Sequence, residues 1–331
     1  MRLSRQAAFL LTCAFSLTFQ GCVFAYPAVE GKFERTLSVA GPVVLEVSNG
    51  SGKIEVRAGS SSTVQIYGLI QARDDWRNNA REKVNYLSSN PPIEQSGNVI
   101  KIGRISDEAY RNNVSISYEI TVPAETRVQS KTGSGSQSVD GVRGPVDAST
   151  GSGSINMYHI GGDVTARTGS GSIVLDDVSG RIEAGTGSGS IRAEHIAGSI
   201  QASTGSGSVT LGQVSAEQGG SRDVEVHTGS GSIEVSGVNG SLRAVSGSGG
   251  IRASGTPAGD WSVEASSGSV TLHVGANTAF ELNEHASSGR ITVDHPITVT
   301  GTASKRDMRG TVLGGGRLIQ VRTGSGSITI R

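Results

Sequence analysis

Cysteine is nearly missing from this chain: there are two, Cys13 and Cys22, both within the first 25 positions. Nothing downstream can rest on a disulfide framework or on thiol chemistry, so stability has to come from packing and backbone pairing. Aromatic residues make up only 4%, which excludes a broad, ring-filled core. The charges cancel at 29 basic against 29 acidic, without the basic surplus of a general nucleic-acid binder. After residue 25 no apolar run reaches helix length, so no membrane-spanning helix is expected. What is abundant is glycine, 48 of 331 residues, roughly twice ordinary usage.

Residues 1–25 read as an export signal. Arg2 and Arg5 give a charged start and Ala7 to Phe19 an apolar core. Two exits follow. Phe19-Gln20-Gly21-Cys22 resembles a bacterial lipobox, with Cys22 the residue to be lipidated, although Phe19 stands where Leu is usual. Val23-Phe24-Ala25 resembles an ordinary cleavage site. The lipoprotein exit is preferred, giving a membrane-anchored envelope protein held only through lipid at Cys22. A periplasmic or secreted protein is the alternative.

The glycines are periodic. Thr-Gly-Ser-Gly-Ser-(Ile/Val) begins at Thr150, Thr168, Thr186 and Thr204, each 18 residues after the last, and an earlier copy at Thr132 ends in Gln137. A strict short period means one small unit stacked on itself. Within a unit the apolar residues fall two apart, as in Ile173, Leu175, Val178, Ile182 and Ala184, which is strand spacing. Glycine pairs mark the corners. The expected fold is all-β: a β-solenoid of roughly 18-residue coils over residues 126–331. Ser215 to Ser221 is read as an inserted loop, and further copies at Thr228, Ser246, Ala265, Ala286 and Thr323 continue the stack to a closing C-terminal coil.

Residues 26–125 differ. Strands are predicted at Phe33–Val39, Val43–Val47, Lys53–Val56, Val64–Ile70, Val99–Ile102 and Val114–Val122. Between them a short helix runs from a cap at Asp74-Asp75 to about Leu87, with Trp76, Ala80, Val84 and Leu87 on one face and Pro91-Pro92 beyond its end. A solenoid needs its open end blocked, so this segment is read as an N-terminal β-rich cap or widened first coils.

The succession Asn49-Gly50-Ser51-Gly52-Lys53-Ile54, the helix, Ser117-Tyr118-Glu119-Ile120-Thr121-Val122-Pro123, serial Ser-Gly-Ser-Ile coils and Gly310 to Gly316 resembles the bacterial putative-adhesin family of envelope β-solenoids, a domain of unknown function. The resemblance spans nearly the whole exported chain. It implies the fold and an adhesin-like role, and it brings no catalytic residues.

The candidate chemistry is sparse. The Gly-Ser phrase completes neither GxGxxG nor a P-loop, and no GxSxG is present, so it reads as turn chemistry and no cofactor is implied. His159, Asp177 and His195 share one repeat position in successive coils, beside Asp176 and Glu194. They are the candidate metal ligands, weighed against a plain solvated ladder. A carbohydrate-cleaving β-helix would need two opposed carboxylates, for which Asp176, Asp177, Glu183 and Glu194 are the nearest cluster. Thr132, Thr150, Thr168, Thr186, Thr204 and Thr228 form a column that, facing outward, would be a surface hydroxyl ladder for carbohydrate or ice. The first expectation is a non-catalytic exported envelope protein, an adhesin-like scaffold or interaction surface for an envelope protein or polysaccharide. The hydroxyl-array binder and the carbohydrate-active enzyme are its alternatives.

Overall fold

Period-two alternation of Ile, Val, Leu and Ala gives each strand one face that must leave water, and the 18-residue repeat supplies an identical strand to stack beside it. The computed structural model shows how the two combine. It describes residues 28–59, 62–74, 79–103, 105, 107–214, 222–300 and 303–331. Cys22, both signal exits, Trp76 and the Ser215–Ser221 insertion lie outside these residues.

Each repeat contributes two strands, one to each of two facing parallel stacks. Val146–Thr150 lies in register between Arg127–Thr132 and Val164–Thr168, and Ile155–Ile160 between Gln137–Asp140 and Ile173–Val178. The pattern continues through Ile182–Thr186, Ile191–Ile196, Ile200–Ser206 and Val209–Val214. Residues at the same repeat position therefore stack about 4.8 Å apart. Their inward side chains form a narrow core of Ile, Val, Leu, Met and Ala. Farther along, Ile233–Ser248 and Ile251–Ser267 run through both faces as long continuous strands. Trp261 fills the wider interior there and donates its indole N–H to the Gly240 carbonyl at 3.1 Å. The chain is an all-β solenoid with a helix-bearing N-terminal part.

In that part the elements are β1 (Ala28–Ser38), β2 (Val44–Asn49), β3 (Ile54–Ala58), β4 (Thr63–Arg73), α1 (Ala80–Ser89), β5 (Ile93–Ser96), β6 (Val99–Ile102), the single turn α2 (Glu108–Arg111) and β7 (Val114–Val122). Helix α1 begins later than the sequence suggested. Asn79 is its N-cap, accepting from the Glu82 N–H at 3.2 Å, while Asp74 reaches forward to accept from the Ala80 N–H at 2.7 Å. Ala80, Val84 and Leu87 are buried as expected. The helix packs on β1 and β4 and closes the open end of the core. Close approach requires Gly31, where a side chain would collide with Val84.

Both ends are stacked out of chain order. β2 lies between β6 and the strand Arg127–Thr132, and β3 between β7 and Gln137–Asp140. The C-terminal strand Arg317–Ser325 likewise enters between Ile251–Ser267 and Phe280–Ser288. Ile328–Ile330 enters between Val270–Val274 and Ile291–Val293. The expected closing coil is thus one layer in from the end. The outermost layer is covered instead by the antiparallel strands Asp307–Val312 and Ile297–Val299.

Candidate functional site on the outer ladders

The threonine column faces inward, which corrects its reading as a surface ladder. Thr132, Thr150, Thr168, Thr186, Thr204 and Thr228 are all buried, none more than 8% exposed. The glycine pair turns the chain at this corner, so the hydroxyl meets the neighbouring coil. Thr168 donates to the Gly153 carbonyl at 2.8 Å and accepts from the Gly171 N–H at 3.1 Å. Thr150 and Thr186 repeat both bonds. The hydroxyls that reach solvent at this corner belong to the serines of the phrase, for example Ser170 and Ser172, or Ser188 and Ser190. An outward threonine row does exist elsewhere: Thr271, Thr329 and Thr292 lie on adjacent strands. Sequence reading missed it because Thr329 comes last in the chain yet stacks in the middle.

His159, Asp177 and His195 share one column, and its backbone is left-handed, with φ of 53°, 56° and 53°. That kink resets the in/out alternation, so two consecutive residues face outward, for example Glu194 and His195. The histidines do not converge on Asp177. Each reaches back one coil to a carboxylate in the adjoining column: His159 Nδ1 to Asp140 at 2.8 Å, and His195 Nδ1 to Asp176 at 2.7 Å. These bonds are the main reason both imidazoles are raised above their ordinary pKa, and the neighbouring acidic charges add to the effect. Among the described residues no group of three or more potential ligands is placed to hold a metal ion.

Three of the four candidate carboxylates are each paired with a basic group. Asp176 is taken by His195. Glu194 pairs with Arg192, and Glu183 sits on the opposite face, where it pairs with Arg167 at 2.5 Å.

The broad outward surface of that face carries two parallel polar columns. One runs Asp147, Thr165, Glu183, Gln201, and its neighbour Ser149, Arg167, Gly185, Ser203. Gly185 interrupts the second column. With no side chain there, a depression of about 360 Å³ opens among Arg167, Glu183, Gln201 and Ser203. A second, of about 240 Å³, continues past Arg181, Glu183, Gln201 and Glu225. The first column was legible in the sequence as a polar ladder, and the Gly at a position filled by Ser or Arg in adjacent copies was the visible sign of the depression beside it.

These features define a rod-shaped β-solenoid with long polar outer ladders, and no helix of the described residues is long and apolar enough to cross a membrane. The chain belongs to the Toastrack DUF4097 family, whose model matches residues 44–331. No curated protein matches it. Among solved structures it is similar to a putative cell adhesion protein from Clostridium sporogenes (11% identity, 91% of this chain and 99% of that one, TM-score 0.24). It is also similar to a putative adhesin from Bacteroides fragilis (11%, 91% and 97%, TM-score 0.34). A putative lipid binding protein from Parabacteroides distasonis gives 11% identity, 91% and 96% coverage and a TM-score of 0.37. At such low TM-scores the likenesses carry no functional argument.

Proposed function

We propose that this protein is a non-catalytic, exported envelope protein of adhesin-like type, a stiff rod held at the membrane by lipid on Cys22 that binds extended envelope polysaccharide along its outer ladders. The observation that carries the reading is the pair of polar columns around Gly185, where an open depression is lined by guanidinium, carboxylate, amide and hydroxyl groups. Such groups bind sugar hydroxyls individually weakly, and repetition every 4.8 Å or so multiplies them along a polymer. A protein partner is less well served. Interfaces of that kind are anchored by buried aromatic and apolar side chains, whereas the exposed large hydrophobics among the described residues are Tyr86, Val299 and Leu313, all away from these columns.

The test is retention of the purified protein on isolated, protease-treated envelope polysaccharide, with the double variant Arg167→Ala/Gln201→Ala beside it. Retention that weakens about tenfold in the variant supports the reading, as expected for two polar contacts of ordinary strength. No retention, or release of new reducing ends from the polymer, sinks it. The anchoring half is tested separately by the mass of the mature chain from membranes. Loss of an acyl mass with release of Cys22→Ala into the soluble fraction is the expected result.

A further inference from the structure

The strand β1 is an open sheet edge. It pairs with β4 over all eleven residues, and among the described residues no other strand pairs with it. Which of its backbone groups face the open edge follows from three bonds. The Ser38 carbonyl accepts from the Gln95 side chain at 2.9 Å and the Glu34 carbonyl from its neighbour Arg35 at 2.9 Å, whereas the Val39 N–H turns to the β4 side and donates to Ser62. Even-numbered residues of β1 therefore turn their peptide groups to the open edge. Side chains at those positions, Glu30, Lys32, Glu34 and Thr36, are exposed on the outer face, while Phe33 is buried and the inner face lies against α1.

A long unpaired edge is a template for another strand. We propose that β1 pairs antiparallel with β1 of a second copy of this chain, with Phe33 on the two-fold axis. A symmetric strand pair has to be antiparallel, and its register is fixed by which residues oppose one another. Centred on Phe33, Lys32 faces Glu34 of the second copy, Glu34 faces its Lys32, and Glu30 faces its Thr36. The even-numbered positions are then the hydrogen-bonded pairs, which is the set whose peptide groups point to the open edge. Recentring on Lys32 opposes Lys32 to Lys32 and Glu30 to Glu34. Recentring on Glu34 opposes Glu34 to Glu34. Recentring between residues would set outward positions against inward ones. Recentring on Gly31 also sets Glu30 against Lys32, but it pairs only residues 28–34, whereas the register centred on Phe33 satisfies backbone and charge over the whole of β1. The pairing joins two rods at their N-terminal ends and continues one stack of strands across the axis, whatever the outer ladders bind.

The test is the mass of the purified protein in solution by light scattering, across a concentration series reaching the high-micromolar range. The wild type is expected to dimerise. Lys32→Glu sets like charges opposite one another twice and is expected to weaken the dimer about tenfold or more. Lys32→Glu/Glu34→Lys restores opposite charges in the same register and is expected to restore the dimer. Far-UV circular dichroism confirms that each variant is folded, since both positions are exposed. A wild type that stays monomeric throughout, a dimer indifferent to Lys32→Glu, or a double variant that fails to recover would each overturn the pairing.

Discussion

Glu284 occupies a core position of the strand Phe280–Ser288, between Met308 and Val321 on the flanking strands. It is 1% exposed and neither carboxyl oxygen has a hydrogen-bond partner. Burial pushes its pKa up to about 8, so the carboxyl is held neutral at neutral pH. The native state therefore binds this proton more tightly than the unfolded chain, whose carboxyl titrates near about 4.3. The corresponding stability is fully present below about pH 4 and is lost progressively as pH rises to about 8, a change of roughly 3–5 kcal/mol. Urea unfolding at pH 5 and pH 8 is expected to show that decline in the wild type and to show it largely removed in Glu284→Gln. An equal pH dependence in both proteins would mean that another group is responsible. Gln137 shows the milder form of the same intrusion. It takes the Ile place of the repeat phrase, is buried, and turns its amide to the Ser149 carbonyl at 2.6 Å.

At the scale of the element, the Gly-Ser corner is where sequence reading succeeded on form and left direction open. The strand pairs, the glycine turns and the 18-residue register were all legible, because an in-register parallel stack requires like residues to recur at a fixed interval. The facing of the threonines was not legible, since parity along a strand is lost wherever the backbone turns. Gly153 shows why the corner admits no other residue: a side chain there would strike the Gly135 carbonyl of the coil below. That close approach brings the Thr168 hydroxyl onto Gly153. Thr168→Val keeps the shape and removes both of its bonds, leaving a buried donor and acceptor unpaired. A loss of about 1–3 kcal/mol is expected in chemical denaturation. A neutral substitution would show that water satisfies the corner instead. The left-handed column at His159, Asp177, His195 and Gln213 escaped sequence reading for the same reason. Only Gly141 and Gly237, at φ of 74° and 71° in flanking copies of that position, hinted that the site prefers a residue tolerant of positive φ.

For the whole molecule, the two ends and the middle differ in kind. A middle coil contacts copies of itself on either side, so removing one repeat leaves compatible surfaces to close up. Deleting residues 169–186 is expected to give a folded, shorter rod with a sharp thermal transition. Ending the chain after Gly316 removes fewer residues but withdraws an interior layer. Phe280–Ser288 and Ile291–Val293 lose their parallel partners. That truncation is expected to unfold the last layers and make residues 280–312 sensitive to limited proteolysis. A truncated protein as resistant as the wild type would show that the inserted coil does not hold the end together.

The sequence by itself determined that the chain is an all-β solenoid with an 18-residue coil and a thin aliphatic core, because stacking in register and alternation in a strand are both written as simple periods. Residues that match only by repeat position were readable from it, as His159 and His195 were. Tertiary structure alone decided what happens where periodicity stops. The return of Arg317–Ser325 into the stack placed Thr329 between Thr271 and Thr292, and the pairing of β1 with β4 left the other edge of β1 open. Such placements depend on which of several similar strands wins a given edge. That choice is settled by packing across the whole stack, and no local pattern encodes it.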